Sequence, residues 1–310
     1  MKNYHNVAFV IPCHRNDFLY LRYFLNTFLV NFNLGDTCDA IVVMSEESEI
    51  KDFLLMYPSL DIDNFKFESI DNYVKGQLSK EQGVINIKKF YGIHKNPEYD
   101  YYIPVDSESV IISLKNIYKK CQTEDLSKTI YGSKISRDFL AKINQNSLDF
   151  LLSFCSSKEE ELKMKKRIDK SLYTFWSNMP VYENKKIKNL LDFIKFDNEG
   201  EILENINWFC FDHVLYQYYC LAFFDFKLLD YEKTTNGLNK KIDMTHFERL
   251  ESNGYAVNWT VPEHYTENKD YFRERLVMLH SIDKNKRWER QKNIDFFKEL
   301  NTGIVLDYKE

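Results

Sequence analysis

The sequence predicts an α/β protein: a mostly parallel open sheet flanked by helices, followed by a helical, aromatic-rich second half. Three observations carry this. Short apolar runs alternate with longer stretches of helical period over the first hundred or so residues. Each run ends in a polar cluster, as strands do at the ligand-binding edge of such sheets. Beyond about residue 148 the pattern changes to charged and aromatic helical segments.

Val7–Ile11 and Ala40–Met44 are unbroken apolar runs, as expected of strands covered on both faces. Between them residues 17–32 carry apolar side chains at helical spacing, with Asp17 placed to cap the helix. Residues 65–70 read as a weaker strand. Ser79, Lys80, Glu81 and Gln82 have the form of a capping box, opening a helix that runs to about Lys95. Tyr99–Val105 is the strand that delivers Asp106-Ser-Glu108, and Pro104 inside it implies that the strand is leaving its ladder there. The polar strand ends are then Pro12 to Asp17, Met44 to Glu47, and Asp106 to Glu108.

In the second half, residues 148–172 are charged and helical, and the run KEEELKMKKR marks a solvated helix face. An aromatic stretch follows over 173–182, then a helix over 185–196, an aromatic helix over 208–224, and a tail. No linker rich in Gly, Ser or Pro divides the chain and no repeat is visible, so a single domain over 1–310 is expected.

Composition narrows the function classes. With 44% hydrophobic and 16% aromatic residues, the 310-residue chain has enough apolar material for a large core. A net charge of −5 provides no broad basic field for a nucleic-acid backbone, and no nucleic-acid partner is expected. The six cysteines contain no CxxC pair and read as reduced core thiols. The apolar run before Pro12 is too short for a signal peptide or a span, so a cytoplasmic protein is expected, with a peripheral seat at the inner membrane face left open.

The nine glycines never fall into GxGxxG or GxxxxGK[ST], so a phosphorylated ligand would have to be met by a cation or by side chains. Asp106 and Glu108 suit a hard divalent cation, Mn²⁺ or Mg²⁺, which is commonly held by one or two carboxylates plus substrate phosphates. The plainer alternative is that both acids cap a helix starting near Ser109. His280 follows an apolar run and precedes Lys284, Lys286, Arg287 and Trp288. A neutral imidazole suits Mn²⁺ and the cations suit phosphate oxygens, although a core histidine and a solvated turn explain them too.

On these residues the chain resembles nucleotide-sugar-dependent glycosyltransferases of the GT-A fold. Val7–Arg15 looks like their first strand, and Asp106-Ser-Glu108 like their DxD metal motif in a DxE form. His280-SIDKNKRW-Trp288 is similar to the C-terminal H-x-x-G-x-x-K-P-W of the glycogenin and bacterial galactosyltransferase type, with Asp283 in place of the glycine and Arg287 in place of the proline. The resemblance covers roughly residues 5–110 and 276–288. It implies a metal held by Asp106, Glu108 and His280, a phosphate on Lys286, and closure by Trp288. It divides the chain into a nucleotide half (1–112), an acceptor half (113–275) and a metal- and phosphate-binding tail (276–310). Pro12, His14, Arg15, Ser45 and Glu46 would face the nucleoside.

The implied activity is transfer of a sugar from a nucleoside-diphosphate donor to a hydroxyl of a glycan or glycolipid acceptor. A growing bacterial surface glycan, of the capsule or lipooligosaccharide kind, is the expected setting. Asp212 and His213 are the candidates for catalysis: an acid with a raised pKa would take the acceptor's proton, the alternative being an Asp212 that only caps its helix with His213 packed beside it. Lys88 either points to the nucleotide or lays its stem along apolar surface. Trp176 and Tyr182 either stack on a sugar or belong to the core. Two rivals share these features: a nucleotidyl- or phosphosugar-transferase on a similar sheet, and a non-catalytic binding or scaffold protein.

Overall fold

The computed structural model describes residues 6–32, 38–71, 73–74, 83–111, 114–134, 138–174, 181–197, 202, 205–230, 278–280 and 304–306. Its centre is a five-stranded sheet in the order β3-β2-β1-β4-β8. Strands β1 (Val7–Pro12), β2 (Asp39–Met44), β3 (Phe65–Ser69) and β4 (Tyr101–Pro104) are parallel, and β8 (Tyr182–Glu183) joins β4 antiparallel at one edge. The predicted mixed α/β class with a mostly parallel sheet is the observed one.

Strand β1 is wholly buried because both faces are covered. Phe9 meets Phe24 and Phe28 of α1 (Phe18–Phe32), with ring centroids 6.2 and 5.9 Å away. The next residue, Val10, points to the opposite face, as alternate strand residues must, and lies against α3 (Val84–Lys95) at Gly92. Strand β3 is the weaker one because it is the other edge, where Lys66 and Glu68 are tolerated.

Several local expectations change. Asp17 does not cap α1: it lies in a 3-10 turn over Arg15–Asp17, and His14 caps that turn by accepting from the Asn16 N–H through Nδ1. A helix the sequence reading passed over, α2 (Glu47–Met56), follows β2, with acids in its first turn and Ile50 and Phe53 buried one turn apart. Helix α3 opens after Gly83, whose φ of 71° suits glycine, while the capping box at 79–82 lies outside the described residues. Pro104 pairs with Val10 of β1 only, since β8 ends opposite Tyr102. Strand N–H groups alternate in direction, and Val105 N–H donates to Val10 O, so the missing proline donor falls on the β8 side, beyond the last strand pair among the described residues.

After β4, strand β5 (Val110–Ile111) leaves the central sheet and pairs antiparallel with β11 (Ile304–Leu306), which runs parallel to β10 (Met278–His280). The second half contains a small sheet the sequence did not suggest: β6 (Thr129–Ser133) between β7 (Tyr173–Thr174) and β9 (Lys227–Asp230). The same half holds α4 (Ile117–Ser127), α5 (Asp138–Ser153), α6 (Lys158–Arg167), α7 (Asn184–Phe193) and α8 (Asp212–Phe223); α5 packs on β7, and α5, α6 and α7 pack on α8. The helical stretch expected over 148–172 is thus two helices, with Ser157 capping α6 through the Glu160 N–H. As read from sequence, α6 is a solvated helix, and only Met164 is buried. Helix α8 is buried from Asp212 to Ala222, all round, which makes any ionisable residue on it dependent on a partner.

Candidate functional site

The strand order reverses between β1 and β4: the chain runs outward through β2 and β3, then returns to the other side of β1. At such a switch point the carboxyl ends of two neighbouring strands border a crevice. Here β1 ends at Pro12 and β4 at Pro104, with Asp106 two residues on. The structure therefore brings the Pro12–Arg15 segment beside the acidic pair, as the sequence order alone could not show.

Asp106 and Glu108 do not cap a helix. Ser109 N–H donates to Asp106 O at 3.1 Å, closing a tight turn over 106–109 that leads into β5. Ser107 and Ser109 are buried, while Asp106 and Glu108 stay partly exposed. Glu108 accepts from the Ser107 hydroxyl at 3.2 Å. The turn thus presents carboxylates outward and hydroxyls inward. His280 pairs in register with Leu306, and Val305 with Val110, so the end of β10 lies at the same edge of that sheet as the acidic turn. Its side chain, and Lys286, Trp288 and Trp176, lie outside the described residues.

Beneath the turn sits a buried charge cluster. Lys89 of α3 places Nζ 3.3 Å from Asp106 Oδ1 and 3.3 Å from Asp212 Oδ1. The Tyr182 hydroxyl donates to Asp212 Oδ2 at 2.6 Å, and Asp212 N–H donates to Asn86 Oδ1 at 3.2 Å. Burial works against the Lys89 charge, but Asp106 and then Asp212 outweigh it and hold the ammonium above lysine's ordinary pKa. Asp212 mirrors this: burial pushes it up, yet Lys89, His213 and Tyr182 together hold it well below the usual carboxylate range.

This corrects the expectation for Asp212. A general base needs access to the proton it takes and a pKa near the working pH. Asp212 is 1% exposed and held ionised. Nor is it a helix cap, because it is the first residue of α8 and its carboxylate faces Lys89 and Tyr182. His213 is 2% exposed, and burial lowers its pKa against the pull of Asp212. Its Nδ1 lies 3.9 Å from Asp212 Oδ1. Tyr182 is likewise no sugar platform, since its ring packs on Tyr216 at 4.4 Å and its hydroxyl is engaged.

The other strand-end residues are also placed. Lys88 is buried, not free in water, and donates to Cys13 O at 2.5 Å, at the end of β1. Burial lowers its pKa, opposed chiefly by Glu49. Glu49, 6% exposed, accepts from the Ser45 N–H at 2.8 Å and the Arg15 N–H at 3.3 Å, so one carboxylate ties the end of β1 to the end of β2. Those two N–H groups are thereby used. Arg15 extends to Asp52, Glu46 accepts from the Ser48 hydroxyl at 3.0 Å, and His14 remains exposed.

Sequence reasoning singled out Lys88 and missed Lys89, Asn86 and Glu49. One signal was present: two lysines inside the apolar helix VINIKKFYGI cannot both reach water, so at least one requires a buried partner.

Two partly exposed carboxylates at a strand end fit a divalent cation that takes its remaining ligands from water and phosphate. Among the described residues no group of three or more His, Cys, Asp or Glu side chains is gathered into a metal site, so a protein third ligand would come from outside them.

No described protein family and no curated protein matches the chain. Solved structures similar in overall shape include the bifunctional glycosyltransferase WbbM in its apo form, at 11% identity and TM-score 0.41. That match takes in 100% of this chain and 46% of WbbM, so the chain spans about half the length of that protein. A second is core-mannan synthase A (CmsA/Ktr4) from Aspergillus fumigatus in its Mn/GDP form, at 15% identity over 74% of this chain and 73% of that one, TM-score 0.42. A third is the galactosyltransferase LgtC in complex with donor and acceptor sugar analogues, at 13% identity over 95% of both chains, TM-score 0.40. Likenesses this distant carry no chemistry over to this chain.

Proposed function

We propose that this protein is a metal-dependent glycosyltransferase of GT-A type, moving a sugar from a nucleoside-diphosphate donor to a hydroxyl of a glycan or glycolipid. The observation that carries the reading is the position of Asp106 and Glu108: partly exposed, on a turn leaving β4, at the switch point beside the end of β1. The motif resemblance of the first strand, the acidic pair and His280 to Trp288 points the same way.

In this reading the nucleoside lies along the Pro12–Arg15 and Ser45–Glu46 ends, and the acceptor in the 113–275 half. Asp106 and Glu108, with His280 as third ligand, would hold Mn²⁺ or Mg²⁺. When bound, such an ion supplies positive charge against the diphosphate and its departure. Lys89 holds Asp106 by Oδ1 and is itself held by Asp212, so the acid is set before any ligand arrives. Glu49 holds the two strand-end loops at a fixed spacing. Lys286 and Trp288 would grip a phosphate and close the site. Extension of a bacterial capsule or lipooligosaccharide, at the inner membrane face, is the setting proposed; among the described residues no helix is long and apolar enough to cross a membrane.

The test is a thermal-unfolding titration against UDP, GDP, CDP and their sugars, with and without Mn²⁺, on the wild type and Asp106→Asn. A ligand that binds only the folded state adds about 2.7 kcal/mol at a hundredfold excess over its Kd. Stabilisation by one nucleotide that needs the metal and is lost in Asp106→Asn is expected. No stabilisation by any nucleotide would end the reading. Product analysis decides the bond broken: nucleoside diphosphate for sugar transfer, pyrophosphate or monophosphate for the rival phosphorus–oxygen chemistry.

A further inference from the structure

A second cavity, of about 410 Å³, opens in the other half of the protein, between α5, the 168–173 segment and α8. Its size falls in the range of small-molecule sites, ~300–1,000 Å³. Its charged lining is one-signed. Lys142 and Lys170 line it, and no Asp or Glu does among the described residues, in a chain whose net charge is −5. Two acids directly adjacent in sequence to lining residues accept from neutral donors. Asp149 accepts from Gln145 Nε2 at 2.8 Å, and Asp169 accepts from the Ser171 N–H and hydroxyl at 2.9 and 2.7 Å. Neither lysine makes an ion pair among the described residues. Lys142 instead lies over the Phe209 ring, 3.9 Å from its centroid.

The wall behind the lysines is rigid. Buried Asn144 uses its whole amide: Oδ1 accepts from Thr174 N–H, the Thr174 hydroxyl and the Tyr218 hydroxyl, while Nδ2 donates to Leu140 O and Thr174 O, both at 2.9 Å. Leu172 and the half-buried Tyr173 ring add apolar surface. A hydrogen-bonded, partly aromatic wall with two exposed lysines in its lining suits a ring whose C–H face packs on Tyr173 and whose anionic group meets the lysines. The same helix α5 supports the turn that starts α8: Asn146 Oδ1 accepts from Asn207 Nδ2 at 3.1 Å and the Ser147 hydroxyl donates to Phe209 O at 3.3 Å. Helix α5 thus lines the cavity and also holds the segment that leads into Asp212.

We propose that this cavity binds an anionic sugar unit, one bearing a carboxylate or a phosphate. Its assignment to the acceptor rests on the glycosyltransferase reading, whereas the binding itself does not.

The experiment is NMR of the full chain with reductively ¹³C-dimethylated lysines, which keep their charge. The Lys142 and Lys170 signals are identified from Lys142→Arg and Lys170→Arg. The probes are D-glucuronate, D-glucose 6-phosphate, D-glucose and inorganic phosphate. Saturable shifts of both signals with the two anionic sugars are expected, absent with glucose and weaker with phosphate alone, and the shift of each lysine should be lost when the other is replaced, in Lys142→Gln and in Lys170→Gln. Both positions are exposed, so each single variant should unfold close to the wild-type temperature. No saturable shift with either acid overturns the proposal. So does an equal response to glucose, which removes the role of charge, or to phosphate, which removes the role of the ring. Shifts here without nucleotide binding at Asp106 would sink the transferase reading alone; nucleotide binding without shifts would sink only this one.

Discussion

Replacing Lys89 with methionine tests the centre of the site. At an effective dielectric of ~20, unit charges 3.3 Å apart attract by about 5 kcal/mol. Lys89 has two such partners, set against several kcal/mol of desolvation for each buried ion. The net worth of the intact cluster is therefore small, but its disruption is expensive. Lys89→Met leaves Asp212, 1% exposed, with its charge uncompensated. Removing one partner of a buried pair costs about 3–5 kcal/mol, which lowers Tm by about 6–15 °C. Urea unfolding of the wild type, Lys89→Met, Asp212→Asn and the double variant measures it. Lys89→Met/Asp212→Asn should be more stable than additivity predicts, by about 1–3 kcal/mol, because the neutral amide no longer needs the cation. A loss below about 1 kcal/mol for Lys89→Met, or a double variant additive within about 0.5 kcal/mol, would refute the account.

Three further outcomes are expected. Because the folded pKa of Asp212 is depressed, its contribution is present above the ordinary aspartate value of about 4 and is lost as pH falls through the folded value. The stability gap between wild type and Asp212→Asn should hold from neutral pH to about 5 and shrink below about 4, and a gap that widens in acid would contradict the assignment. Glu49→Ala leaves the Arg15 and Ser45 N–H groups without their acceptor and should cost about 2–4 kcal/mol in urea unfolding; a near-neutral variant would show that the strand-end loops do not depend on it. At Gly92 an added Cβ would lie 2.7 Å from Val43 Cγ2 and 3.0 Å from Val10 Cγ1, on stiff branched side chains. Gly92→Ala should therefore destabilise by about 1–2 kcal/mol despite the better helix propensity, with a rise in Tm as the contrary result.

The charge cluster also explains why the crevice is built from residues far apart in sequence. Asn86 and Lys89 come from the helix before β4, Asp106 from the turn after it, Tyr182 from the edge strand, and Asp212 from a helix 123 residues beyond Lys89. Gly83 lets the start of α3 approach this assembly, since an added Cβ would stand 3.0 Å from Asn207 O. Lys89 joins the start of α8 to Asp106.

The sequence by itself determined the four parallel strands, the helices between β1 and β2 and between β3 and β4, and the delivery of Asp106 and Glu108 to a strand end. These depend on local period and on apolar runs that only a doubly covered strand accommodates, so they can be read one segment at a time. Tertiary structure alone decided the rest. The antiparallel edge strand β8, whose described pairing ends opposite Tyr102, short of Pro104, and the small sheet around β6 arise from pairings between short segments with no local signature. Which of two adjacent lysines joins the acids was equally hidden: one helical step, about 100°, turns Lys88 toward Cys13 O and Lys89 toward Asp106 and Asp212. Asp212 looked like a base because a carboxylate among aromatic residues suggests a raised pKa. It is held ionised instead because the fold brings it a cation that the neighbouring sequence does not contain.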